Sequence, residues 1–267
     1  TSRRKKSEEL RELIVEEGER YFRDACTMRG IRLEDKDAYF AILSVRAVPL
    51  FPREPFLPFK DVATIANEIM VNVRGSNFPR ILSETRPIQN GVRRLYVFRD
   101  SEDEAAHGKD FEYVHLTSLG LYLFKRDIGD AEEQKIKRPD GTEVKTVIRK
   151  MNFYRIPGIL YPFLSSAALF YQKVGYWGSV KVTVELANAL GVDMPHPLLH
   201  RLIHLDNDIL QVPSNHLKWE KVISVPLLQQ QAREVAIEIV DAVAWSLGVE
   251  YFSEERIREF FRGNFGE

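Results

Sequence analysis

Residues 157–186, PGILYPFLSSAALFYQKVGYWGSVKVTVEL, are the most informative part of the sequence about the fold, because they join two elements of different hydrophobic period. From Pro157 to about Lys173 it is apolar on every side, which predicts a helix in the middle of a core, ended by Gly175. From Val180 to Leu186 apolar and polar residues alternate, which predicts a strand with one buried and one wet face. The chain is therefore expected to pack helices and strands around a shared core.

Helical patterns recur on both sides of this stretch. Apolar residues from Val62 to Met70 follow the i, i+3, i+4, i+7, i+8 spacing of an amphipathic helix. Pro226 is a typical first helical residue, and the apolar stripe behind it ends at Gly248. A leader helix is predicted from Ser7 to Gly30, and a final helix is predicted from its cap Ser253 through Phe260.

Strands are predicted where β-branched and aromatic residues cluster between turn residues. These segments are residues 39–50, 95–98, 111–124, 209–212 and 217–225. Asn90-Gly91 and Pro139-Asp140-Gly141 are the predicted turns of two hairpins, since tight turns need positive φ angles that such residues accept. Hairpins and helices in this mixed order predict the α+β class, with mixed antiparallel hairpins packed against several helices. Residues 31–267 are expected to form one compact domain, preceded by the leader helix, 1–30.

The composition excludes several classes of protein. With 267 residues, 44% of them hydrophobic, the chain can build a packed core and is not disordered as a whole. Lysine and arginine (38) balance aspartate and glutamate (39), so the formal charge of -1 does not indicate a nucleic-acid or membrane partner for the whole chain. The single cysteine, Cys26, cannot form an intrachain disulfide, which favours a reducing compartment and predicts a cytoplasmic location.

The sequence predicts no secretion signal and no membrane partner. Its most apolar run, residues 156–171, is interrupted by prolines and serines and is shorter than the roughly 18 apolar residues of a membrane span. The chain begins at Thr1 rather than Met, as is expected of an excised domain or a processed product.

A basic segment lies between residues 73 and 99. Its six arginines, with Glu84 as the only acid among them, are Arg74, Arg80, Arg86, Arg93, Arg94 and Arg99. Guanidinium groups suit phosphate, and Phe78 or Tyr96 could stack on bases, so these arginines are the candidate nucleic-acid-binding residues. The alternative, which the pattern favours, is a solvated hairpin balanced by the acids from Asp100 to Glu104.

The second predicted hairpin is also basic. Its charged residues are Lys135, Lys137, Arg138, Lys145, Arg149 and Lys150 against Asp140 and Glu143. A basic β-ribbon can track a nucleic-acid backbone, although most such hairpins are only hydrated surface. Asp140, Glu143 and Lys145 imitate the paired acids and lysine of metal-dependent nucleases, but those acids normally come from separate strands, so a nuclease site is disfavoured.

Three histidines recur every four residues near a pair of aspartates. If a helix begins at Pro197, His200 and His204 share one face, the spacing of helical zinc sites, and Asp206 would supply a carboxylate. Leucines and an isoleucine surround these histidines, so histidines at the edge of the core are the favoured interpretation. No metal is therefore expected.

Recognisable catalytic motifs are absent from the sequence. It contains no phosphate-binding loop, no dinucleotide fingerprint and no nucleophile elbow, and no cofactor is predicted. Cys26 lies on the predicted leader helix without a histidine nearby in sequence, which favours a small packing residue over a nucleophile.

Two short motifs resemble one protein family. Tyr171-Gln172-Lys173-Val174-Gly175-Tyr176-Trp177-Gly178 runs from the apolar helix towards the next strand and resembles the C-terminal half of bacterial Schlafen-type AlbA-domain proteins. Arg74-Gly75-Ser76-Asn77-Phe78-Pro79, behind an amphipathic helix, is similar to an earlier part of the same region. Together the two motifs would cover most of residues 35–250.

The resemblance implies a biological setting for this chain but no catalytic activity. The family is described as DNA-binding or ATP-binding, and some members occur in regulatory or defence settings. Its name rests on an N-terminal AlbA domain whose acid and lysine residues have no match in this chain, so that chemistry does not carry over. The resemblance implies a C-terminal accessory domain.

The favoured function is a non-catalytic interaction or regulatory domain of nucleic-acid-associated machinery; nucleic acid, other protein chains and self-association are left open as partners. The first alternative is a metal-dependent, nucleic-acid-directed enzyme that uses His200, His204 and Asp206. The second is a small-ligand sensor with a pocket near Tyr176 and Trp177. A structural role is favoured there, with the two glycines ending the helix and Trp177 buried between the helix and the next strand. Replacing Trp177 with alanine is therefore expected to lower the free energy of unfolding by about 3 to 5 kcal/mol.

Overall fold

The structure is a computed structural model that describes most of the chain. The described residues are 2–31, 33, 41–52, 56, 62–73, 75–79, 89–91, 94–100, 111–137, 142–194, 210–249 and 253–266. In the part of the chain that these ranges cover, no helix combines the length and the hydropathy needed to cross a membrane.

The predicted helices and strands that fall within these ranges are confirmed, except that the predicted strand segment 111–124 forms two strands separated by a turn. The helices are α1 Ser2–Met28, α2 Val62–Glu68, α3 Arg155–Lys173, α4 Val225–Ser246 and α5 Glu254–Phe265. The strands are β1 Ile42–Pro49, β2 Val71–Val73, β3 Ser76–Phe78, β4 Gln89–Gly91, β5 Arg94–Asp100, β6 Phe111–Thr117, β7 Tyr122–Asp127, β8 Gly129–Lys137, β9 Glu143–Met151, β10 Ser179–Ala187, β11 Asp193–Met194, β12 Leu210–Gln211 and β13 His216–Ser224.

A seven-stranded antiparallel sheet organises the chain. Its strand order is β13-β10-β1-β7-β6-β5-β4, so β1 near its centre pairs with β10, whose residues lie far along the chain. A four-stranded sheet, β12-β11-β9-β8, and the small β2-β3 ribbon complete the strands of the described part. Helices and mostly antiparallel strands pack as one compact body, which confirms the predicted α+β class.

Helix α3 lies at the centre of the core on one face of the large sheet. Phe163 is fully buried, and its ring packs against Tyr122 of β7 with the centroids 4.7 Å apart. The Tyr122 hydroxyl lies 2.9 Å from Ser166 Oγ, which donates to the carbonyl oxygen of Ile69 at 2.7 Å. Because these buried hydroxyl groups are hydrogen bonded, their burial does not carry the free-energy cost of an unpaired polar group. Gly175 ends the helical region at φ 69°, as predicted.

Helix α1 packs against the opposite face of the sheet. Phe22 packs on Tyr113 of β6, with ring centroids 5.2 Å apart, and a second buried apolar cluster forms between helix and sheet. Gly18 lies at the closest approach, because a Cβ atom there would stand 2.8 Å from Leu121 Cδ2. The predicted leader helix therefore covers one face of the sheet, while α3 and α4 cover the other.

The two predicted hairpins have different outcomes. Asn90 and Gly91 lie within β4, opposite Leu95 and Arg94 of β5, so the turn predicted at Asn-Gly is wrong. Both residues belong to the paired strand and therefore are not the central residues of a turn. Residues 92 and 93, between the two strands, lie outside the described residues. The hairpin of β8 and β9 is confirmed, with Lys137 opposite Glu143, although its predicted tip, 139–141, lies outside the described residues.

Candidate functional site

Most of the predicted site residues lie outside the described part of the chain. This holds for Arg74, Arg80, Arg86 and Arg93 of the basic segment and for His200, His204 and Asp206. Arg94 and Arg99 belong to β5, where the backbone pairs them with Thr117 and Glu112 of β6. Nucleic-acid binding by the basic segment and metal binding by the histidines therefore stay untested hypotheses. Among the described residues, no group of three or more His, Cys, Asp or Glu side chains is placed to hold a metal ion.

Of the two aromatic residues between Gly175 and Gly178, only Tyr176 packs against the core as expected. Tyr176 packs on Phe56, with centroids 5.1 Å apart, and its hydroxyl donates to the Ser179 carbonyl at 2.7 Å. Gly178 is required beside it, because a Cβ atom there would lie 2.6 Å from the Tyr176 hydroxyl oxygen. Trp177, however, is 57% exposed. The expectation that Trp177 is buried is wrong: Tyr176 packs against the core in this turn, and Trp177 beside it is largely in contact with solvent.

Cys26 is a packing residue, as predicted. It is buried in the cluster between α1 and the sheet. Burial raises the pKa of its thiol from 9.0 to about 12, an effect that the nearby charge of Lys125 reduces only in part. Because the thiolate is the nucleophilic form, this environment suppresses the reactivity of the sulfur.

We expect the folded protein to react with a thiol-specific disulfide reagent at pH 8 far more slowly than the denatured chain. The raised pKa of Cys26 lowers the thiolate fraction by roughly 1000-fold, and burial also limits access. The rate can be followed by absorbance, with denatured protein as the positive control and Cys26→Ser as the blank. Equal rates in the folded and the denatured protein would contradict this account.

A row of ion pairs crosses the sheet face that α1 covers. At its centre, the guanidinium of Arg46 donates two hydrogen bonds to the carboxylate of Glu185, at 2.7 and 2.9 Å. Glu19 of α1 lies 3.5 Å from the same guanidinium and accepts a 2.7 Å hydrogen bond from Lys125. The side chains of Arg46 and Glu185 are only 10% and 15% exposed, so this part of the row is largely removed from water. The charges tie α1 to β1, β7 and β10.

Two opposing effects act on the pKa of Glu185. Burial raises this pKa, but the hydrogen bonds and charge of Arg46, together with the charges of Lys125 and Lys218, lower it further than burial raises it. The carboxylate is therefore held in its ionised form below the ordinary pKa of a glutamate.

The row continues onto β13, the outermost strand on this side. The carboxylate of Glu220 lies 2.7 Å from Nζ of Lys181 on β10 and 2.8 Å from Nζ of Lys218. The side chains of Lys218 and Glu220 are 41% and 34% exposed, so water screens this end of the row. The predicted wet face of β10 is only partly exposed, because Thr183 is buried and Glu185 is engaged in the row.

Strand β13 forms one edge of the large sheet. Its inner side pairs with β10 from Ser224 opposite Ser179 to His216 opposite Ala187. Within the described residues, no strand pairs with its outer side. A strand in this position presents a row of backbone donors and acceptors to other chains.

A cavity of about 460 Å³ lies beside β13, between the end of the sheet and α4. Its apolar lining comes from Val182, Val184, Trp219, Ile239 and Ala242. The indole N–H of Trp219 donates to Ser246 Oγ at 3.0 Å, which holds the ring against α4, and Lys221 pairs with Glu238 at the cavity wall.

A large apolar side chain is exposed near this cavity: Trp245, which precedes Ser246 on α4, is 83% exposed. Exposed apolar surface beside an apolar cavity is typical of binding sites. We call β13, Trp245 and the cavity residues together the β13 surface. The sequence predicted this strand and α4, but nothing in it indicated that the strand lies at an edge.

Comparisons with protein-family models, with curated proteins and with solved structures found no match for this chain. The resemblance to Schlafen-type AlbA-domain proteins therefore stays a prediction, and the β13 surface is interpreted from its own geometry.

Proposed function

We propose that this chain is a non-catalytic interaction domain, an accessory part of nucleic-acid-associated machinery of the regulatory or defence kind. The observation that supports this most is the β13 surface, which combines the outer side of an edge strand, an apolar cavity and the exposed Trp245. Edge strands bind other chains by adding a strand, with backbone hydrogen bonds for affinity and side-chain pockets for specificity. Tryptophan adds a broad apolar face with a polar N–H, which suits protein interfaces.

The arrangement of the buried charges supports a structural role for them. Arg46 holds both Glu185 and Glu19, and Lys125 holds Glu19 from the other side. Each of these groups is already engaged by a group of opposite charge, and together they fasten α1 to the sheet. Buried charges of this kind can mark a catalytic site, but here joining α1 to the sheet is a sufficient reason for them. A structural role for these charges agrees with an interaction domain.

The nucleic-acid part of the proposal rests on the basic segment. Arg94 and Arg99 belong to β5, and the sheet order places five strand intervals between β5 and β13. At roughly 4.8 Å per interval, the two strands are about 24 Å apart. A protein bound at β13 and a nucleic acid bound near β5 would therefore not compete for the same space.

Replacing Arg93 and Arg94 with alanine is expected to weaken binding to DNA of unrelated sequences about equally. Each lost phosphate contact should also flatten the slope of log affinity against log salt by roughly one unit. Fluorescence anisotropy with labelled duplex and single-stranded DNA, over a series of low salt concentrations, measures both quantities.

The matched control is the Lys5→Ala/Lys6→Ala variant, which removes the same charge from the exposed start of α1. It is expected to keep most of the affinity and the salt slope. If the unaltered chain fails to bind DNA in low salt, or if both variants lose the same affinity, the nucleic-acid part of the proposal is wrong.

A further inference from the structure

The charged residues of β13 alternate in sign on one face of the strand. Lys218 and Glu220 lie opposite Glu185 and Thr183 of β10, on the face that α1 covers. Trp219, between them, lies opposite Val184 and therefore points towards the helix layer. The sequence Lys-Trp-Glu thus places one cation and one anion symmetrically about an aromatic residue.

Symmetric pairing of this strand with a second copy of itself has few possible registers. A twofold axis perpendicular to the sheet keeps α4 of both copies on one face, and it passes beside one residue, which then lies opposite its own copy. A shift by one residue changes the residue on the axis and changes every cross-strand pair. Like charges directly opposite each other are destabilising, so the register decides whether the pairing is possible.

Only one central register of β13 pairs opposite charges. With the axis at Lys218, at Glu220 or at Lys221, that charged residue lies opposite its own copy. With the axis at Trp219, Lys218 lies opposite Glu220 of the second copy, and Glu220 lies opposite Lys218 of the second copy. The two tryptophans then lie side by side on the face of the apolar cavity. Aromatic pairs and opposite charges are both favourable as cross-strand neighbours.

The existing ion pairs do not prevent this exchange. Within one chain, Glu220 lies 2.8 Å from Lys218 and 2.7 Å from Lys181, and Lys218 lies 4.0 Å from Glu185. Lys218, Glu220 and Lys181 are partly exposed, and pairs of this kind contribute little to stability. A lysine on an edge strand usually discourages pairing with foreign strands. Here lysine and glutamate together would discourage other registers and leave one self-complementary register.

We propose that two copies of this chain associate through antiparallel pairing of their β13 strands, on a twofold axis that passes beside Trp219. The two seven-stranded sheets then form one continuous sheet, and the cavities of both copies face each other across the new strand pair. This inference rests on the proposed function and names a second copy of the chain as the partner at the β13 surface.

Charge reversal tests the register. The Lys218→Glu variant places two acids opposite each other at both symmetric positions, and Glu220→Lys places two lysines there. We expect each variant alone to raise the dimer dissociation constant by roughly 10- to 100-fold in sedimentation velocity experiments. An equimolar mixture of the two variants is expected to form a heterodimer, because both opposed pairs then carry opposite charges. Effects within one chain cannot produce that rescue.

Charge reversals at a distant ion pair are the matched controls. Lys173→Glu and Glu68→Lys make the same charge changes at an exposed pair that joins α3 to α2, outside β13, and should leave the dimer intact. Unchanged thermal midpoints of all variants show that the fold is retained. A monomeric unaltered chain at high concentration, dimers that survive both reversals, or a mixture that stays monomeric would each overturn the proposal. DNA binding, measured separately, decides the nucleic-acid part of the proposed function in each of these cases.

Discussion

Replacing Arg46 with methionine is expected to lower the free energy of unfolding by about 3 to 5 kcal/mol. The change removes the cation at the centre of the ion-pair row and leaves the mostly buried carboxylate of Glu185 without the group that donates two hydrogen bonds to it. Glu185 keeps the desolvation cost of its charge and loses most of the attraction that offsets this cost, since only the weaker attractions of Lys125 and Lys218 remain. Urea unfolding at neutral pH, followed by circular dichroism, measures the difference.

The double variant Arg46→Met/Glu185→Met is the matched control. It replaces both charges with apolar side chains of similar length, so most of the lost stability should return. Glu19 retains its 2.7 Å hydrogen bond from Lys125 in both variants. If the double variant is as unstable as Arg46→Met alone, the loss does not come from an unpaired charge, and the ion-pair interpretation fails.

The effect of Arg46→Met should shrink in acid. The pKa of Glu185 is lowered in the folded protein, so the stability it contributes is present above the pKa of the unfolded chain and is lost as the pH falls through the lower folded value. Once this carboxyl is protonated, the loss of Arg46 no longer leaves an uncompensated charge. A difference between the two proteins that grows as the pH falls would contradict this reasoning.

Replacing Phe163 with alanine is expected to cost about 3 to 5 kcal/mol of unfolding free energy. Its ring is fully buried against Tyr122, in a part of the core that α3 and the sheet enclose, so the change leaves a cavity. Equilibrium unfolding in urea, with an unchanged dependence on denaturant, measures the loss.

Trp177→Ala is the matched control, because it removes an aromatic side chain that is 57% exposed and only a few residues beyond the same helix. Its expected cost is below about 1 kcal/mol. Equal costs for the two substitutions would mean that Trp177 packs in the core after all. The small expected cost replaces the larger loss that the sequence alone predicts for Trp177.

Elements with a local signature were predictable from the sequence. Helix α3 is apolar on every side, Gly175 ends its region, and β10 alternates with the period of a strand. The turn predicted at Asn90-Gly91 was wrong, because both residues are paired with β5 as part of β4. Hydrophobic period and chain-breaking residues act over a few positions, so they define an element without defining its neighbours.

The α+β class, the five helices and most of the longer strands of the described part, and the packing role of Cys26 follow from the sequence alone. The contact of Arg46 with Glu185, the exposure of Trp177 and the edge position of β13 are seen only in the folded structure. These outcomes depend on which strands pair across more than a hundred residues of chain, and on which faces α1 and α4 then cover. Such pairing follows from the surfaces that all elements leave available together, and no local pattern encodes it.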